Sequence, residues 1–256
     1  MKKIVQLSVV VFLLGFTACK KDKKNTVTPT PAPATGSLKI SFEHVVDSNM
    51  FVMNHNYVNA NSDTFKVSML KYYISNIVLT KSDNSTYTEA NSYHLIDNSV
   101  STSTLLTLAG IPPGAYKSIS FMLGVDSARN VSGVQTGDLD PGRGMFWSWI
   151  GYTMLKFEGT SPQSGASDKS LTFHIGGYGG VDKTQRNFAF NFTSTPANVS
   201  TTATPLMHLS VNVNELFKNP TVIQFATQFE EMTPGHVSRM YADNYADMIS
   251  FKNITN

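Results

Sequence analysis

From Leu38 onward the chain repeats short runs in which apolar and polar residues alternate, separated by Gly, Asn, Asp and Pro. A period of two marks a β-strand with one buried face. Leu38, Ile40 and Phe42 alternate with Lys39, Ser41 and Glu43. The runs at 65–80 and 116–125, the series Phe188, Phe190 and Phe192, and the series Met207, Leu209, Val211 and Val213 read in the same way. Turn-forming stretches such as Ile111-Pro112-Pro113-Gly114 and 193–204 punctuate them. No internal period and no second composition regime interrupts the pattern. The expectation is an all-β fold: a β-sandwich or barrel-like single domain over 38–256.

Two places break the alternation. Residues 105–108 form a short apolar segment before the Pro-Pro turn, and 215–251 carries helical spacing, with Met240, Tyr241, Asn244, Tyr245 and Met248 three or four apart. A stripe of that kind predicts a short C-terminal helical segment packed on the sheet.

The first 37 residues follow other rules. Lys2-Lys3, an apolar stretch from Ile4 to Phe16 and Thr17-Ala18-Cys19 make up the basic, hydrophobic and small-residue parts of a lipoprotein signal peptide over 1–18. The apolar stretch is too short to span a bilayer. Cys19 is then the lipidation site, and its acyl chains are the anchor that holds the protein to a membrane. The expected location is the periplasm or cell surface, on the outer membrane. Residues 19–37, rich in lysine, proline and threonine, read as an extended tether.

Composition narrows the chemistry. Cys19 is the only cysteine, so the domain has no disulfide, no thiolate metal site and no cysteine nucleophile. The net charge of +2 is carried by the leader and tether: from Leu38 onward 14 basic residues face 17 acidic ones. With no basic patch, nucleic acid is not an expected partner. Motifs for hydrolytic nucleophiles, HExxH metal sites and phosphate loops are absent. Gly176-Gly177-Tyr178-Gly179-Gly180 lies between strands and reads as a tight turn or a close backbone approach.

Six histidines remain: His44, His55, His94, His174, His208 and His236. His44 continues the apolar face of Leu38, Ile40 and Phe42, so it is expected to be buried and to need a partner. His174 lies opposite Leu171, Phe173 and Ile175 at the end of a strand. His208 shares a polar face with Ser210 and Asn212, while His55, His94 and His236 fall in loop-like or helix-flanking contexts. Taken singly, each histidine is better explained by a hydrogen-bonded structural role than by metal ligation.

The densest unusual stretch is 137–159, GDLDPGRGMFWSWIGYTMLKFEG. It holds both tryptophans, Trp147 and Trp149, whose spacing places them on one face of a strand. Asp138 and Asp140 precede them in a turn that Asx capping explains better than calcium does. Met145 reads as packing.

These residues carry a resemblance. The run Asp138-Leu139-Asp140-Pro141, Gly144-Met145-Phe146-Trp147-Ser148-Trp149, Gly151-Tyr152 and Lys156-Phe157-Glu158-Gly159 resembles the signature of the MbnP-like copper-binding proteins, with one residue between Trp149 and Gly151. The likeness extends to Phe42-Glu43-His44, Tyr72 through Ile77, Pro113-Gly114-Ala115-Tyr116 and Phe173-His174-Ile175-Gly176-Gly177. It implies an extracytoplasmic, non-enzymatic protein that binds one copper ion, for acquisition or storage, through two histidines and a kynurenine made by oxidising a tryptophan. Carried onto this chain, the metal residues are His44, His174 and either Trp147 or Trp149. It further implies a dihaem cytochrome peroxidase as a transient partner. Intact indole offers an N–H but no lone pair to a metal, whereas the opened ring presents an aniline-type nitrogen and a carbonyl. Imidazole suits copper.

From another class comes a surface carbohydrate-binding or adhesion module without metal, motivated by the anchor, the β-fold and the aromatics Trp147, Trp149 and Tyr178. An enzymatic reading has no recognisable pairing of acids and bases behind it.

Overall fold

The computed structural model describes residues 33–256. The expectations for the signal peptide, Cys19 and most of the tether lie outside the described residues.

Two sheets face one another across an apolar core. The smaller is built on the opening strand, Gly36–Val46, which pairs in parallel with Leu206–Asn212 and antiparallel with Leu105–Ile111. The final strand, Ile249–Thr255, adds antiparallel to Leu206–Asn212. Alternation sets the burial: Leu38, Ile40, Phe42 and Val46 are inside, as are Met207, Leu209 and Val211.

The larger sheet is organised by the 18-residue strand Thr64–Lys81. Its first half pairs with Gly151–Thr160 and its second with Gly114–Leu123. Ser170–Gly176 and Arg186–Asn191 extend the sheet in opposite directions. Between the sheets sits a cluster of Phe65, Phe157, Phe173, Phe217 and Phe225, with ring centres 5.0–6.4 Å apart. Each such buried ring contributes about 2 kcal/mol of transfer free energy.

The all-β, sandwich-like expectation holds, with local corrections. The apolar segment 105–108 belongs to a regular strand, Leu105–Ile111. The helical spacing over 215–251 resolves into a 3-10 turn at Val213–Phe217, one helix at His236–Tyr245 and the final strand. Burial of Tyr241 and Tyr245 in that helix follows the predicted stripe. Trp147 and Trp149 do not share a strand face, because the strand stops at Phe146–Trp147 and Trp149 lies in the turn that follows.

Candidate functional site: the tryptophan hairpin and His174

The outer side of the larger sheet is partly roofed by residues 137–150. Tyr73 and Tyr152 stand beneath this segment, their rings 5.8 Å apart and edge to face. Their hydroxyls donate to the backbone carbonyls of Asp138 at 3.0 Å and Leu139 at 2.7 Å. Asp140 accepts from the amide of Gly142, an Asx turn, and the second oxygen of Asp138 accepts from the amide of Leu95. Each aspartate of the turn thus holds a backbone amide, and the other oxygen of Asp138 faces the Arg143 guanidinium at 3.8 Å. Met145 is fully buried under the same roof.

The segment ends in a hairpin, Phe146–Trp147 against Gly151-Tyr152. Gly151 has φ +79°, and a Cβ there would lie 2.5 Å from Oδ1 of Asn130 and 3.3 Å from the Tyr178 ring. Asn130 accepts from the amide of Tyr152 and donates to the carbonyls of Val125 and Asp126. Only glycine lets the hairpin settle on this side chain.

The hairpin sets Trp147 above His174. Their ring centres are 6.3 Å apart and their planes 21° from parallel. In the sheet the cross-strand row reads Lys71, Lys156, His174, so these three lie on the outer face. Nε2 of His174 lies 2.9 Å from Oε1 of Glu158, and Nζ of Lys156 lies 3.3 Å from the same oxygen. Burial pushes the His174 pKa down, against the opposing pull of Glu158. Burial works to raise the Glu158 pKa, but His174 and Lys156 together hold it below the ordinary value. At neutral pH the pair is thus a neutral imidazole donating from Nε2–H to a carboxylate. The lone pair is left on Nδ1, which is buried and has no hydrogen-bond partner.

His44 occupies a different place. It lies on the inner face of the smaller sheet, 9% exposed, with Nε2 3.0 Å from the Tyr72 hydroxyl and its ring against Phe51. Tyr72 follows Lys71 in the long strand and points to the opposite side of the sheet from the row that carries His174. Burial, against a hydrogen bond to the backbone of Phe42, pushes the His44 pKa down to about 4. It is a core histidine with its partners made.

The sequence profile of the MbnP family matches residues 35–236. The chain belongs to the MbnP family. The fold agrees: the solved structure of MbnP from Methylosinus trichosporium superposes with a TM-score of 0.54 at 14% identity, covering 75% of this chain and 80% of that one. Among curated proteins, no match is found.

Set against the donors expected of an MbnP-like site, the structure brings together His174 and Trp147 and keeps His44 apart from them, with the larger sheet between. Trp149 is 67% exposed and faces a separate recess beside Tyr178. Among the described residues no group of three His, Cys, Asp or Glu side chains is disposed around a common point as a metal site. Two carboxylates near His174 were missed by sequence reasoning: Glu158, its hydrogen-bond partner, and Glu230, across the strand pair from Thr172, whose charge also acts on the imidazole. Glu158 was open to discovery, since alternation puts it on the outer face with Lys156. Glu230 was not, because its two-residue strand has no pattern to read. The other four histidines are engaged elsewhere: His208 with Glu43, His94, in the strand Tyr93–Asp97, with Glu89, His236 with Arg239 at the start of the helix, and His55 edge-on against the Tyr57 ring.

Proposed function

We propose that this MbnP-family protein is an extracytoplasmic lipoprotein, anchored through Cys19, that binds copper at the Trp147–His174 locus for acquisition or storage. The observation that carries this reading is the orphaned lone pair on Nδ1 of His174. A carboxylate that holds the far N–H of an imidazole is the usual outer-shell arrangement of a histidine ligand, because it fixes the tautomer and ring orientation. Glu158 stands in that relation to His174. A neutral imidazole suits copper.

The remaining donors fit only in part. Intact Trp147 supplies none, so the reading takes in the kynurenine that the family resemblance implies, with Trp147 rather than Trp149 as its source. Bound there, copper would meet an imidazole nitrogen and the nitrogen or carbonyl of the opened ring. His44 is not part of this set; its imidazole is used by the core.

Copper-to-protein stoichiometry, measured on full-length lipoprotein purified from a native membrane and on variants, tests the assignment. One copper per chain is expected, lost in His174→Ala and retained in His44→Gln. Loss in His44→Gln with its fold intact would overturn the placement, and no copper in the unaltered protein would overturn the function.

A further inference from the structure

Beyond the copper locus, the turn after Trp147 opens onto a recess of about 400 Å3 lined by Trp149, Ile150, Tyr178, Asp182 and Pro234, with Gly177, Gly179 and Gly235 at its walls. Three features set it apart from ordinary surface. Trp149 leaves two thirds of its area in water, although an indole is the side chain with most to gain from burial. The turn that carries it is tied down at its base through Gly151 and Asn130, with Tyr178 packed over the same glycine. An exposed aromatic on an anchored turn has less backbone freedom to lose on binding than one on a free loop.

Polar groups stand at the rim in complementary form. Asp182 lines the recess, and its Oδ1 lies 3.5 Å from the buried Nε of Arg239; the rest of the two side chains is partly open to solvent, 38% for Asp182 and 34% for Arg239. The Arg239 guanidinium reaches Nδ1 of His236 at 2.9 Å. A carboxylate only accepts hydrogen bonds and a guanidinium only donates them. A ligand hydroxyl does both, so two neighbouring hydroxyls could bridge such a pair. Gly179 and Gly235 have open space where a Cβ would stand, so the walls admit a flat ring. An apolar surface with a few convergent polar groups is the usual make-up of a small-molecule site.

We propose that this recess binds a saccharide, with the C–H face of a pyranose ring on the Trp149 indole and vicinal hydroxyls on Asp182 and Arg239. The ligand class follows from the pairing: an apolar ring face edged with hydroxyls matches an aromatic plate edged with an acceptor and a donor. Nothing in it requires a metal, and its residues other than the shared turn are separate from His174 and Glu158.

The test is a glycan array probed with the full-length, detergent-solubilised lipoprotein in the presence of a chelator, followed by titration of the best saccharide against tryptophan emission. Trp147→Phe leaves Trp149 as the sole reporter, and isothermal titration calorimetry measures the variants that lack it. Binding is expected to survive the chelator and His174→Ala, and to weaken roughly tenfold or more in Trp149→Ala, the loss of a central aromatic anchor. Asp182→Asn, which keeps the shape of the side chain, is expected to weaken it as well. Failure of every saccharide to bind, or binding that Trp149→Ala and Asp182→Asn leave unchanged, would overturn the proposal. So would Trp149-dependent capture of a protein free of glycan, which would make the recess a protein-docking surface.

Discussion

Nε2 of His44 lies 3.0 Å from the hydroxyl oxygen of Tyr72, a hydrogen bond made across the space between the two sheets. The strand that supplies Tyr72 carries Lys71 on its other face, in the row that leads through Lys156 to His174. Two histidines that a linear reading would join to one ion are thereby assigned to two sides of one sheet, and their chemistry separates accordingly.

For His44 the consequence is a pH-dependent stability. The folded imidazole binds its proton near pH 4, against about 6.5 in the unfolded chain. Below pH 6.5 the unfolded state takes up more protons than the folded one, so stability present above that pH falls as pH falls and levels off near 4. The loss amounts to about 3 kcal/mol from this group. Burial lowers the His174 pKa too, which adds in the same direction. Urea unfolding at pH 7.5 and pH 4.5 should show the drop. His44→Gln should flatten it, and an equal drop in that variant would place its origin elsewhere.

Trp147 and Trp149 should differ in their covalent fate. Tryptophan to kynurenine gains one oxygen and loses one carbon, a change of about 4 Da. Intact mass and peptide mapping of protein from its native host should place it on Trp147, which stands over His174, and Trp147→Phe should abolish it. A modified Trp149 beside an unmodified Trp147 would reverse the assignment.

Gly151→Ala should damage the hairpin. The new Cβ would meet Asn130 Oδ1 at 2.5 Å in a backbone conformation with φ +79°. A cost of about 2–4 kcal/mol is expected from strain plus the broken Asn130 contact. Chemical denaturation measures that cost, and a copper titration of the folded fraction should show weakened binding. A variant as stable as the parent would mean that the hairpin shifts freely.

Phe217→Ala should cost about 3–5 kcal/mol, because the ring touches Phe65, Phe157, Phe173 and Phe225 at once and leaves a cavity that strands on both sides cannot close. Thermal unfolding checks it; a small shift would show that the cluster repacks.

Much of the fold was open to sequence reasoning because burial and alternation coincide. The opening strand and Met207–Val213 present one apolar face to the core, and a period of two reports that directly. The helical stripe was overextended for a related reason: Met248 is buried from the bend after the helix and Ile249 from the final strand, and apolar spacing alone does not tell these from a helix. At the site, the sequence marked His174 and the tryptophan pair. It could not mark which side of the sandwich His44 faces relative to His174, since that depends on how two sheets pair across the core. Nor could it show that the chain turns at Ser148, sending Trp149 away from Trp147.

The parallel pairing of Gly36–Val46 with Leu206–Asn212 has a bearing on how the domain comes into being. Lys39 meets Leu206, a separation of most of the chain, and the final strand docks only onto Leu206–Asn212. During synthesis the first strand therefore emerges long before its parallel neighbour, and until then it can be flanked only by Asn49–Met50 and Leu105–Ile111. Contacts so distant in sequence make for slow folding. Over that interval the apolar face of Leu38, Ile40 and Phe42 is open to other chains, so the strand that founds the smaller sheet is also the one most exposed to association before the fold closes.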